Sequence, residues 1–406
     1  MEKINLKDAG LKYLAEAFLQ LMFLMSIALA TVSNVTRLIL IFKIAVSLIL
    51  LLAIIVHSRI HNYSLNVFSV HRFSKNVLIF LLFICYLTVT IIYSHNQSYG
   101  FYKIINFLVS ILPLIITAYY LAVTLDKKRE LLFLYIISAF LILTVSYIIT
   151  DYPFEQGTIY NFRPGRWSHV IYGRMAASAS LIILFYVYKS NDKKLILIYS
   201  FIAAIGIYGT YLSALRSASL GLMFAWILFI IYAFIDKDAV KNINGSRIKQ
   251  VTKISLSFIL AALFIVSIPH KDIVNLRFES LTNVENLEFK NDAAIHSRLT
   301  SYELAVNMFI NKPLLGYGLG SFNGYDDLEW TKAIKYPHNL FLEIAAECGI
   351  IGLLLLFYLL FILFKNLKNY SVLAVIFFLF ALFLSLFAKD VSTQPLLWIG
   401  FGFVRK

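Results

Sequence analysis

The chain has 406 residues, of which 60% are hydrophobic and only 14% charged, and its mean hydropathy is +0.79. A soluble domain of this length cannot hide so much apolar surface, so the composition excludes a water-soluble fold and makes the bilayer the solvent. The net charge of +14 is no argument for nucleic acid, because the basic residues sit mostly in short segments between apolar runs, as the positive-inside rule requires.

A membrane-spanning helix needs about 20 mainly apolar residues. On that basis the sequence predicts twelve spans, near 13–32, 38–57, 76–94, 104–124, 131–150, 169–188, 194–211, 213–235, 252–268, 339–364, 370–388 and 392–404. The chain is then an all-α integral membrane protein in three parts: nine spans in 1–268, a large outer loop at 269–338, and three spans in 339–406. The first 12 residues carry both acids and lysines, and the apolar run after them is long enough to stay in the membrane, so a cleaved leader is not expected. Cys85 and Cys348 fall in apolar stretches with no metal spacing, which excludes a disulfide framework and argues against zinc.

Sidedness follows from the basic residues. With the N-terminus inside, the inner segments hold groups such as Lys3, Lys7 and Lys12, then Arg59, Arg72 and Lys75, then Lys127, Lys128 and Arg129. The short outer loops hold few: Arg37, Lys103, Arg163, Arg166 and Lys389. Both termini are therefore expected in the cytoplasm. Asp236 and Asp238, in the polar loop 236–250, have the D-x-D spacing of a metal-holding pair, but they sit among lysines in a short loop and read as solvated.

Within the outer loop, Asn291 or Asp292 is placed to cap a helix that Lys312–Pro313 stops. Ile295, Leu299, Tyr302, Val306 and Phe309 recur at helical spacing and predict an apolar face lying on the membrane surface or over the bundle mouth. The following PLLGYGLGSF stretch carries Gly316, Gly318 and Gly320. Without the lysine–serine ending it is not a nucleotide loop. It reads as a chain reversal, with a backbone-lined anion site as the sharper alternative.

His338 opens the tenth span behind Tyr336–Pro337, with Pro337 placed to pre-set the helix start and Glu343 and Glu347 one turn apart beyond it. A neutral imidazole at a dry boundary is suited to general-base work; an interfacial hydrogen-bonding histidine is the plainer alternative. Arg216, in SALRSASLG at the start of the eighth span, is costly in a membrane and by default functional. Snorkelling to the interface is its alternative role. Arg163, Arg166 and Arg174 add charge where the sixth span begins, and with Arg298 they suggest an outward-facing anion site, since the guanidinium fork grips phosphate oxygens bidentately. A lipid-linked diphosphate is the ligand this implies. Its attached carbon is already activated, so no metal, nucleotide or other cofactor is expected.

The segments SRLTSYELAVNMFINKPLLGYGLGSF, HNLFLEIAAECGIIG and LRSAS resemble the O-antigen ligase and polymerase superfamily of bacterial envelopes. The twelve-span topology with a late outer loop is similar over the whole chain. The resemblance implies the membrane glycosyltransferase architecture called GT-C, lodged in the inner membrane with its site facing the periplasm. It implies a glycan donor linked to undecaprenyl diphosphate, and an acceptor that is a lipid A–core sugar in ligases or another lipid-linked repeat unit in polymerases. Length and the compact loop favour the ligase. By the same resemblance His338 matches the essential histidine, Arg216 and Arg298 match the arginines tied to the diphosphate, and Arg163 and Arg166 match less firmly. Asp390 falls where such proteins place an outer acid, and Tyr302, Glu343 and Glu347 are supporting candidates. A transporter of the same lipid is the alternative from another class, although the internal repeats common in such folds are not found.

Overall fold

The structure is a computed structural model that describes residues 6–30, 37–61, 63, 75–124, 169–213, 215–235, 247–267, 293–325, 335–365, 372–387 and 390–402. These residues are helical, with turns between, and contain no strand. The helices are α1 (Leu6–Ala30), α2 (Arg37–Ile60), α3 (Lys75–Thr90), α4 (Gln97–Asn106), α5 (Leu112–Thr124), α6 (His169–Lys189) and α7 (Lys193–Leu212). They continue as α8 (Arg216–Ile235), α9 (Arg247–Ser267), α10 (Ala293–Asn311), α11 (Leu340–Lys365), α12 (Val372–Ser385) and α13 (Pro395–Gly402). The expected stretch 131–150, Arg163, Arg166, Asp236 and Asp238 lie outside the described residues. Among the described residues, four stretches are long and apolar enough to cross a bilayer: Ile39–Ile60, Gln97–Leu121, Lys193–Tyr211 and Leu340–Lys365. They make this a multi-pass membrane protein. Their outward faces carry Leu48, Leu52, Leu354 and Phe361, all exposed, as lipid-facing surfaces should.

The chain divides into two units. The first comprises Met1–Arg129, Ala293–Ser371 and Ser385–Lys406, and the second Glu130–Asp292 with Val372–Leu384.

In the first unit the fourth expected span begins earlier than its apolar run. Asn96 caps α4 by accepting from the Tyr99 N–H, so the helix starts at Gln97 and carries Lys103 inside it. Helix α4 runs into α5 through one wider, π-type turn at Phe107–Ile111. The cause is legible: Pro113 has no N–H to give the carbonyl four residues back. That carbonyl, on Val109, instead accepts from the Ser47 hydroxyl of α2. Over the last expected span the described residues form a short turn, Val391–Thr393, followed by α13. Trp398 fixes α13 in the core, packed at 5.5–6.1 Å on Phe80, Phe83 and Phe107 and donating to the Val391 carbonyl at 2.8 Å.

Helix α10 forms where expected, and it packs by a face other than the apolar stripe. Ser301, Leu304, Ala305 and Met308 are buried, whereas Leu299 and Val306 of the anticipated stripe are exposed. The buried side chains pack on Tyr317, Phe322 and Ala346.

In the second unit α6 is enclosed almost throughout. Its run Ala176–Leu184 is buried, and Gly206 of α7 leaves no space for a Cβ against Ser180. Small residues permit this approach, and the Ser178 and Ser180 hydroxyls bond back to the carbonyls of Arg174 and Ala176, which satisfies them without water.

Candidate functional site

The first unit brings its chemistry together around the N-terminal half of α11. Asn339 caps that helix, its side-chain oxygen accepting from the N–H groups of Phe341 and Leu342 at 3.0 and 3.1 Å. Pro337 therefore stands two residues before the cap rather than at the first helical position. His338 lies between them with φ +58°, the only left-handed non-glycine residue among those described. Such a conformation costs energy and is held only where the surroundings impose it. Its ring meets the Tyr336 ring edge to face at 4.7 Å.

Nearly three turns further on, α11 is broken at Gly349, with φ +63° and ψ −163°. The break frees three carbonyls and two N–H groups, and the glycine-rich turn takes most of them. Tyr317 N–H donates to Ala346 at 3.1 Å and Gly318 N–H to Glu347 at 2.7 Å. The Tyr86 hydroxyl donates to Cys348 at 2.8 Å. In return Ile350 donates to Pro313 at 2.8 Å, and Ile351 to Leu314 at 3.5 Å. Leu319 N–H goes to the Thr90 hydroxyl at 3.1 Å. The N–H groups of Gly316, Tyr317, Gly318 and Leu319 are thus spent inside the protein, so this part of the turn acts as a clasp. Gly316 and Gly349 have left-handed backbones, and a Cβ on either would strike the other strand of the clasp. Gly349→Ala is expected to cost about 1–3 kcal/mol from its backbone region alone, with the clash at the Leu314 carbonyl added. Gly324, also left-handed but with open space around it, serves as the control. A wild-type melting temperature in detergent for Gly349→Ala would refute the clasp.

Between cap and clasp, Glu343 and Glu347 point at Lys103. The lysine Nζ lies 2.6 Å from Glu343 Oε1, and 2.9 and 2.7 Å from the two oxygens of Glu347. All three side chains are essentially inaccessible. Lys103, expected in an outer loop, is therefore a buried residue of the first unit. Glu343 Oε2 accepts from Val391 N–H at 2.8 Å, and Glu347 Oε1 from Phe322 N–H at 3.3 Å. One lysine so ties four segments together. Asp390, fully buried, adjoins this group. It caps the Val391–Thr393 turn through Ser392 N–H and Oγ at 2.9 and 2.7 Å, and it accepts from the Tyr99 hydroxyl at 3.2 Å. Asn106 donates to the Ser392 carbonyl at 2.6 Å and accepts from buried Lys43 at 2.7 Å. A polar chain thus runs from α2 to the turn after α12. Sequence reasoning missed Lys103, Lys43 and Asn106. The signal for the lysines was a cation inside an apolar helix, which needs a partner.

Of the arginines, Arg298 is on α10 in the first unit, half-buried, one turn before Tyr302. Burial raises the Tyr302 hydroxyl pKa and the Arg298 charge opposes the rise. Arg216 is the first residue of α8 in the second unit. There α6 passes so close to the corner before α8 that a Cβ on Gly173 would meet Ser213 and Leu215. Buried Arg174 follows that glycine, so the start of α6 and the start of α8 share one corner.

Residues 199–357 match the family model of the O-antigen ligase domain. A protein of Rickettsia conorii named "Putative polysaccharide ligase" is 38% identical over 68 residues. That match covers 14% of this chain and 16% of the relative's length.

Proposed function

We propose, from the O-antigen ligase domain at residues 199–357, that this membrane protein transfers a glycan from undecaprenyl diphosphate to lipid A–core at the periplasmic face of the inner membrane. The observation that carries the reading is the extent of the match. It takes in Arg216, Arg298, His338, Glu343 and Glu347, the residues singled out on chemical grounds. In this reading the acceptor hydroxyl oxygen attacks the sugar carbon bonded to the diphosphate. The carbon–oxygen bond to phosphate breaks, undecaprenyl diphosphate leaves, and the configuration at that carbon inverts. His338 takes the hydroxyl proton as the new bond forms. Arg216 and Arg298, with Arg163 and Arg166, hold the diphosphate as charge develops on it. Tyr302 supports Arg298, and no metal or nucleotide takes part.

The polymerase reading uses the same chemistry with another lipid-linked repeat unit as acceptor. The deciding experiment supplies purified protein with lipid-linked repeat units, with and without core lipid A. Glycan on the core establishes the ligase, longer lipid-linked chains establish the polymerase, and neither product refutes both.

Arg216→Lys and Arg298→Lys are each expected to lower transfer at least tenfold, because a point charge does not reproduce the bidentate fork. Initial rates at matched protein level check this. A fully active Arg216→Lys would mean that the residue only snorkels.

A further inference from the structure

The exposed apolar residues of the first unit do not end with its membrane helices. Helix α3 shows Leu78, Leu82, Cys85 and Val89, and the short turn after it shows Ile92, all exposed and at helical spacing. Helix α11 shows Ile350, Ile351 and Leu354 on its lipid-facing side. The two stripes converge on residues 313–315. There Ile350 and Ile351 donate to the carbonyls of Pro313 and Leu314 at 2.8 and 3.5 Å. The Tyr93 hydroxyl donates to the Leu315 carbonyl at 2.9 Å. Leu314 and Leu315 are nevertheless 67% and 50% exposed. Three consecutive carbonyls outside any helix are thus answered by protein donors while the leucine side chains beside them are bare. In water, exposed carbonyls need no protein donor; in hydrocarbon they must have one.

Depth agrees with this. Ile350 stands fifteen residues before Lys365, the end of α11, which is about 22 Å of helix. A hydrocarbon layer is about 30 Å thick, so with Lys365 at one boundary, Ile350 and the carbonyl it bonds lie inside the layer. Helix α10 leads into the same point and shows three sides. At about 100° per residue, Leu299, Val306 and Ile310 fall within about 40° of one another, and all are exposed. Ser301, Leu304, Ala305 and Met308 form the packed side. Glu303, Asn307 and His296, also exposed, form the third. A helix lying on a bundle in water needs only an apolar side inward and a polar side outward. A second apolar side, left unpacked, calls for a second apolar phase.

We propose that residues 313–315 dip into the hydrocarbon of the leaflet around the start of α11, and that α10 lies along that leaflet with Leu299, Val306 and Ile310 against the acyl chains. The partner of this surface is lipid, because the patch continues the lipid-facing stripes of α3 and α11 without a polar border between them. Lys312 precedes the patch, and its ammonium is held 4.3 Å over the Tyr317 ring, which draws the charge back onto the protein and leaves the stem as apolar surface. Tyr93, half-exposed with its hydroxyl bonded, suits the same boundary. The stretch 269–338 is then not a loop that stands wholly in water.

The test uses the whole protein in vesicles of phosphatidylethanolamine and phosphatidylglycerol. A phospholipid with a diazirine on its acyl chain is photolysed in the membrane, and adducts on the unmodified protein are located by mass spectrometry. Peptides covering 306–315 are expected to be labelled as strongly as those covering 351–361 of α11. Labelling of α11 with none at 306–315 overturns the proposal. A second measurement places one nitroxide at a time, through Val306→Cys, Asn307→Cys or Leu315→Cys, in a Cys85→Ala background, Cys348 being buried. Collisions with oxygen, which partitions into lipid, are compared with those of a water-soluble nickel chelate. Positions 306 and 315 are expected to favour oxygen several-fold relative to 307, although 306 and 307 are neighbours in the chain. Preference for nickel at 315 would put the patch in water. Low collision rates with both reagents there would mean that a second copy or another protein covers it. Either result overturns the proposal, and the labelling of the unmodified protein decides if a cysteine variant folds poorly.

Discussion

His338→Gln is expected to reduce glycan transfer by ~10²–10⁴-fold, the usual contribution of a positioned general base, while leaving the protein folded and able to retain its lipid-linked donor. Glutamine keeps a hydrogen-bonding group of similar reach but has no useful basicity. The position tolerates the change structurally, because the helix cap is supplied by Asn339 and not by the histidine. His338→Gly relieves the left-handed backbone and is therefore expected to be at least as stable as wild type while equally inactive. That pairing of lost activity with kept or raised stability distinguishes a catalytic group from a structural one. Transfer by His338→Gln within a few-fold of wild type, at matched protein level, would assign the histidine a hydrogen-bonding role. The acids nearby are poor replacements, since the oxygens of Glu343 and Glu347 already accept from Lys103 and backbone N–H groups.

Lys103→Met should have the largest effect on stability. It leaves two carboxylates facing each other without a cation in a closed interior, and breaking a buried ion pair from one side typically costs about 3–5 kcal/mol. The variant is expected to accumulate poorly and to melt well below wild type in detergent. Replacing Glu343 and Glu347 by glutamine in the same chain should recover most of that loss, because the buried charge is then gone. A Lys103→Met protein as stable as wild type would mean that the lysine does not bridge these helices.

Much of this was readable from the residues alone, and the failures share a cause. The helix ending at Lys312–Pro313 and the alignment of Glu343 with Glu347 are local patterns, and each appears in the structure, as do apolar runs such as 38–57 and 339–364. Lys103 was misplaced because a cation near the edge of an apolar run reads as a loop residue. Its acids lie 240 and 244 residues further along the chain, where no local window reaches. The glycine turn was read as a reversal or an anion site, because a sequence does not show that its N–H groups answer a break in another helix. The stripe of α10 left open whether it met the membrane surface or the bundle. An apolar stripe marks a buried face in water, but beside a bilayer the stripe can face outward, and here the small and mixed face of Ser301, Ala305 and Met308 is the one packed. The wider turn before α5 was signalled by Pro113 but needs its partner, Ser47, to be recognised.

The reciprocal bonding between the glycine turn and the break in α11 also constrains how the chain is made. The turn leaves the ribosome before α11 does, and its partners Ala346, Glu347 and Ile350 do not yet exist at that moment. Its other anchors, Thr90, Ser94 and Asn96, are by then long synthesised. The segment therefore waits half-assembled, with the left-handed Gly316 unpinned, until the helix that follows it is inserted. Completion of the region around His338 is a late step of biogenesis, and a nascent chain that ends before Gly349 has no means of reaching it.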